Sequence, residues 1–195
     1  MDRAGGAPPG PVLASAPVAG NKVVARYRDG RIVRGFVQDF FPRWLDAWNS
    51  HDADRVLALM TEDIAYDDSA WPTTMHGHAE VREFLGHMWT ACPDMVFELK
   101  DGPFLHPTRA SATSTWTGSA THTGRIDPQG VAPTGRHVTF EGFDLHEYRD
   151  GRVRRLWICF DMAAIARDLG VLPPIGSRGE QITVKLANLQ TRLRR

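Results

Sequence analysis

The chain has 195 residues, 42% of them hydrophobic and 24% charged, which predicts one ordinary soluble domain with a short appendage. Lys plus Arg equals Asp plus Glu at 23 each, so no bulk charge draws nucleic acid or an acidic partner. The apolar runs are too short to cross a bilayer, no secretory-type stretch opens the chain, and two distant cysteines read as free thiols in a reducing cytoplasm.

Residues 1–21 are rich in Ala, Gly and Pro and are expected to be disordered. Residues 22–38 follow as two β-rich runs around Asp29-Gly30, the signature of a tight hairpin added before the main domain. Pro42 suits the first turn of a helix carrying Phe41, Trp44, Leu45 and Trp48 at helical spacing. Asp52 caps a second, short helix with Val56, Leu57, Leu59 and Met60. The carboxylate-rich stretch 63–68 reads as strand or loop. A third helix, about 79–89, places Val81, Phe84, Leu85, Met88 and Trp89 on one stripe.

From Met95 the period changes to two. Residues 95–100 form a short strand. In residues 109–123 the hydroxyls of Thr113, Thr115, Thr117, Ser119, Thr121 and Thr123 face one way. Ala112, Ser114, Trp116, Gly118, Ala120 and His122 face the other. Strands over 137–149 and 152–160 meet at Asp150-Gly151, and a turn of helix over 163–169 ends at Gly170. Three helices followed by antiparallel strands define an α+β fold, whose curved sheet encloses a cavity at its open end. Residues 173–195 are a basic tail with scattered Ile, Val and Leu.

The segments WLDAWNSHDADRVLALMTEDIAY, HGHAEVREFL, THTGRIDPQGVAPTGRHVTFEGFDL and DGRVRRLWICFDMAAIARDLG occur in one order across residues 40–172. Together they resemble SnoaL-like proteins, the polyketide-cyclase branch of the nuclear transport factor 2 (NTF2) superfamily. The resemblance implies a cone-shaped α+β barrel and a homodimer built on the outer sheet face. It also implies a small carbonyl-containing or polycyclic ligand, and ring closure by aldol chemistry with no metal or organic cofactor. Such chemistry needs a carboxyl shielded from water and donors for an enolate oxygen. Aligned on Asp150-Gly151 and Asp168-Leu169-Gly170, the cyclases' catalytic aspartate falls on Ile158 and their assisting histidine on Asp144. Isoleucine moves no proton, so the usual mechanism is absent. A non-catalytic ligand-binding or dimerisation module is the alternative to a cyclase- or isomerase-like enzyme.

Asp144 is the first candidate acid/base. A regular two-residue turn at Asp150-Gly151 sets it opposite Trp157, on a face with Val153, Arg155 and Cys159, where burial raises its pKa. Its other reading is a structural ion pair with Arg155 or His146, and a β-bulge would change the facing. Asp161 either reaches the pocket rim or caps the last helix. His122, which matches a histidine of the cyclases, is either a pocket donor or a hydrogen-bonded core residue. Trp116, His146, Arg155 and Trp157 are the expected ligand contacts. His76 and His78 flank Gly77 without a third ligand evident nearby, so a turn into the helix is expected there rather than a metal site.

Overall fold

The protein is described by a computed structural model over residues 34–194. The Ala/Gly/Pro-rich residues 1–21, the Asp29-Gly30 turn and most of the expected hairpin lie outside the described residues. Its end does not. The first helix, α1 (Arg34–Asn49), begins eight residues before Pro42, so residues 34–38 are helical rather than extended. Phe36, Val37, Phe40, Phe41, Trp44 and Trp48 are all buried along one stripe of this helix. Burial of that stripe overrides the local β preference of the valines. It also carries the exposed Pro42 inside the helix, where the ring removes one backbone donor.

Helix α2 (Ala53–Leu57) starts where Asp52 accepts the N–H groups of Asp54 and Arg55. Strand β1 (Met60–Asp68) and the two-residue β2 (Met75–His76) follow, then α3 (Gly77–Ala91), entered through Gly77 at φ +74°. The remaining strands are β3 (Val96–Leu105), β4 (Ser111–Thr121), β5 (His137–Arg149) and β6 (Arg152–Phe160). Helices α4 (Met162–Asp168) and α5 (Arg178–Leu193) complete the chain.

The strands form one curved sheet of order β2-β1-β6-β5-β4-β3. The α+β expectation holds, with two differences from a closed antiparallel barrel. The sheet stays open, with β2 and β3 at its edges, and β1 runs parallel to β6. The first helices cover the inner face, α1 packing on β3 and α3 on β1. The alternation read along β4 is observed: Ala112, Ser114, Trp116, Gly118 and Ala120 are buried and the intervening hydroxyl residues are not.

Two glycines shape that inner face. Trp116 pairs with Gly142 across β4 and β5, and Gly118 pairs with Phe140. A Cβ on Gly142 would lie 2.4 Å from the Trp116 ring, and one on Gly118 would lie 2.7 Å from Phe140. Each ring therefore occupies the space that a Cβ at the glycine opposite it would fill.

The β5–β6 hairpin corrects the expected register. Arg149 pairs with Arg152 and Tyr148 with Val153, but Glu147 pairs with Arg155, leaving Arg154 as an extra residue. This bulge shifts everything beyond it by one. Asp144 faces Ile158 instead of Trp157, and His146 faces Leu156 instead of Arg155.

Candidate functional site

Between the helices and the inner sheet face lies a cavity of about 160 Å³. Its wall is largely aromatic: Trp44, Trp48, Phe84, Phe97, Trp116 and Phe140 all contribute. Trp116 is edge-on to Phe97 and to Phe140, at centroid separations of 5.4 and 5.9 Å. Against this wall stand Tyr66 and Asp68 of β1, Ser114 of β4 and Asp144 of β5, with Ile158 of β6 between β1 and β5; His87 of α3 and Asp127, between β4 and β5, also line the cavity.

Asp144 is 3% exposed. Its Oδ1 accepts the Ser114 N–H at 3.0 Å and the Ser114 hydroxyl at 2.5 Å, and its Oδ2 lies 2.9 Å from His146 Nε2. His146 Nδ1 meets the Tyr148 hydroxyl at 3.0 Å. The His146 ring is stacked on Phe41 and is edge-on to Phe40 and Trp44, so α1 seals the pair from water. Burial pushes the Asp144 carboxyl up, but the charge and hydrogen bond of His146 and the Ser114 donors outweigh it and hold it below the ordinary value. The direction is opposite to the sequence expectation because the neighbours are donors rather than Trp157 and Cys159. Asp144 is an ionised, fully engaged carboxylate.

Asp68 is the opposite case. Its Oδ2 accepts the Tyr66 hydroxyl at 2.5 Å and its Oδ1 the Ala70 N–H at 2.8 Å. Among the described residues it forms no ion pair. Burial pushes its carboxyl up to about 6, against the pull of those two donors. The Tyr66 phenol is fully buried and is driven well above its ordinary pKa by burial and by the charges of Asp68 and Asp144. It stays a donor. Neither residue was singled out from sequence, although Ile64, Tyr66 and Asp68 share one parity, a signal that needed β1 to be read as a strand facing a cavity.

The other expected site residues divide. Trp116 is in the cavity wall as expected. His146 is inside the fold but reaches the cavity only through Asp144. His122 is fully buried just past the end of β4, with Nδ1 3.1 Å from the Thr134 hydroxyl, and it does not line the cavity. Arg155 and Trp157 are on the outer face because of the bulge. There Arg155 lies 3.5 Å from Asp67, and Trp157 is 47% exposed against Phe143. Asp161 caps α4, accepting the Ala164 N–H at 2.9 Å, and is not in the cavity wall. Among the described residues no group of three metal-ligating side chains comes together.

An open α+β sheet wrapped over an aromatic cavity with a polar patch defines an NTF2-like protein. More specifically, the chain belongs to the SnoaL-like domain family, whose profile matches residues 41–156. No curated protein matches the chain. Among solved structures it is similar to TsrD from Streptomyces laurentii, at 22% identity and a TM-score of 0.61, covering 72% of this chain and 99% of that one. It is also similar to IdmH, a candidate polyketide cyclase from Streptomyces antibioticus, at 22% identity and a TM-score of 0.56, covering 68% and 97%. A third is TerC, crystallised with polyporic acid, at 18% identity and a TM-score of 0.54, covering 69% and 98%. At these identities the likeness is one of fold.

Proposed function

We propose that the cavity binds a small carbonyl-containing or polycyclic molecule and that a cavity carboxylate moves a proton on it, without an organic cofactor. The observation that carries this reading is the clustering of Tyr66, Asp68, Ser114 and Asp144 on one patch of a largely apolar, aromatic wall. Flat rings suit the wall. Trp48, in ring contact with Tyr66, adds a buried indole N–H with no acceptor among the described residues, and a ligand oxygen would satisfy it. TerC, a protein of the same fold, was co-crystallised with polyporic acid, a small organic molecule.

Binding without turnover is the alternative, favoured by Ile158 at the cavity wall where cyclases carry their aspartate and by the full engagement of Asp144. Titration with α-tetralone, a bicyclic aryl ketone, followed by deuterium exchange beside its carbonyl, separates the two. Saturable binding with accelerated exchange supports catalysis; binding with background exchange supports the alternative; no binding by any aryl ketone sinks both.

We also propose that the outer face of the sheet seats a second copy of the chain in the cytoplasm. Phe143 and Trp157 form an exposed edge-to-face pair there, 39% and 47% accessible, an apolar centre flanked by charged residues. Trp157→Glu is then expected to turn a dimer into a folded monomer, as read by light scattering with chromatography. A monomeric wild-type chain refutes it.

A further inference from the structure

We propose that Asp68 is the catalytic acid/base of this cavity, with Tyr66 as its hydroxyl partner, and that Asp144 serves as a fixed negative charge. The assignment rests on the acid–base reading above and selects, within it, the group that gains and loses the proton.

The geometry divides the two carboxyls. Asp144 has three donors on its two oxygens, one of them an imidazole nitrogen, and a proton arriving there would displace a bond already made. Among the described residues Asp68 has only a phenol and one backbone N–H as donors and no ion-pair partner. Two carboxyls whose surroundings drive them apart define separate roles, one staying charged and the other changing charge. A group that titrates at about 6 is mostly a carboxylate at neutral pH, yet basic enough to take a proton from carbon.

The step balances within the cavity. The Asp68 carboxylate takes the proton from the carbon beside the ligand carbonyl, and the C–H electron pair becomes the carbon–carbon double bond of an enolate. The negative charge moves to the ligand oxygen. Once Asp68 carries the proton it no longer needs the Tyr66 hydrogen, and the phenol can turn that hydrogen to the ligand oxygen. Return of the proton from Asp68 to the same or a neighbouring carbon, or to the alkoxide formed when the enolate attacks a second carbonyl, regenerates the carboxylate. Burial above all keeps the phenol from ionising; the charge of Asp68 and, more weakly, that of Asp144 add to it, which is the work left to the fixed charge.

The test uses the full-length chain, α-tetralone in heavy water, and proton NMR of exchange beside the carbonyl. Wild-type exchange should rise with pH through a midpoint near 6 as Asp68 deprotonates. Asp68→Asn should lower the rate by at least about a hundredfold while α-tetralone still binds. Tyr66→Phe removes a donor that lowers the Asp68 pKa, so the surviving midpoint should move upward, a change that a packing role would not produce. Carbon NMR of the labelled aspartates supplies a readout that needs no turnover: one carboxyl should titrate near 6 and vanish in Asp68→Asn. Asp68→Asn exchanging like wild type, or an Asp68 carboxyl titrating in the ordinary range, overturns the assignment alone. A wild-type protein that binds α-tetralone without exchange overturns the acid–base reading together with it.

Discussion

Asp68 and Asp144 show how one residue type takes two protonation behaviours on the two strands either side of Ile158. For Asp68 the folded pKa lies above the unfolded one, so the folded state holds the extra proton between roughly pH 4 and 6. The group therefore stabilises the fold least above pH 6, and stability falls as pH rises through that window. Asp68→Asn should escape the loss. Urea unfolding should show the variant gaining up to about 2 kcal/mol on wild type between roughly pH 4 and 7.5, allowing for partial solvent contact at Asp68. For Asp144 the folded pKa is depressed, so its contribution is present at neutral pH and lost as the solution is acidified. Asp144→Ala leaves His146 buried without its carboxylate and Ser114 without its acceptor. It should cost about 3–5 kcal/mol, measured by chemical denaturation at neutral pH. A loss below 1 kcal/mol would mean the pair is better solvated than its burial implies.

Among the elements, α1, the β4–β5 ladder and the β5–β6 hairpin matter most to the site. In α1 the stripe from Phe36 to Trp48 seals the Asp144–His146 pair, and Pro42 interrupts the backbone bonding of the helix on its exposed side. Pro42→Ala restores an N–H at a compatible position and should raise stability by about 1–3 kcal/mol, seen as a higher thermal midpoint. In the ladder, Gly142→Ala puts a methyl group into the Trp116 ring. The expected outcome is a loss of about 1–3 kcal/mol and weaker α-tetralone binding, because the displaced indole intrudes on the cavity. In the hairpin, the extra residue at Arg154 turns Asp144 and His146 toward Ile158 and Leu156 and sends Arg155 and Trp157 outside. Asp150-Gly151 marked the turn in the sequence, but a turn does not specify whether a later residue is left unpaired.

At the scale of the whole molecule, the cavity depends on the sheet and its covering helices, and α5 is set apart from both. Residues of α5 have no buried side chain, and Ile182, Leu186, Leu189 and Leu193 are exposed. Removing residues 173–195 should leave the unfolding free energy within about 0.5 kcal/mol of the full chain, by urea denaturation. A larger drop would show that the tail packs on the domain. The order of helices and strands, the alternation of β4, the caps at Asp52 and Asp161 and the aromatic character of the pocket follow from local pattern, since period and capping chemistry are carried by neighbouring residues. The site itself is assembled from three segments far apart in sequence, residues 66 and 68, residue 114 and residue 144. Which of them meet depends on a parallel β1–β6 pairing and a single bulge, both settled by long-range packing. Sequence thus determined the fold and the presence of carboxylates on inner-facing strands. Tertiary structure decided that Asp144 is engaged by His146 and Ser114, and that Asp68 is left with a phenol in an apolar wall. A carboxyl's protonation is set by the donors and solvent around it, and those come from other strands.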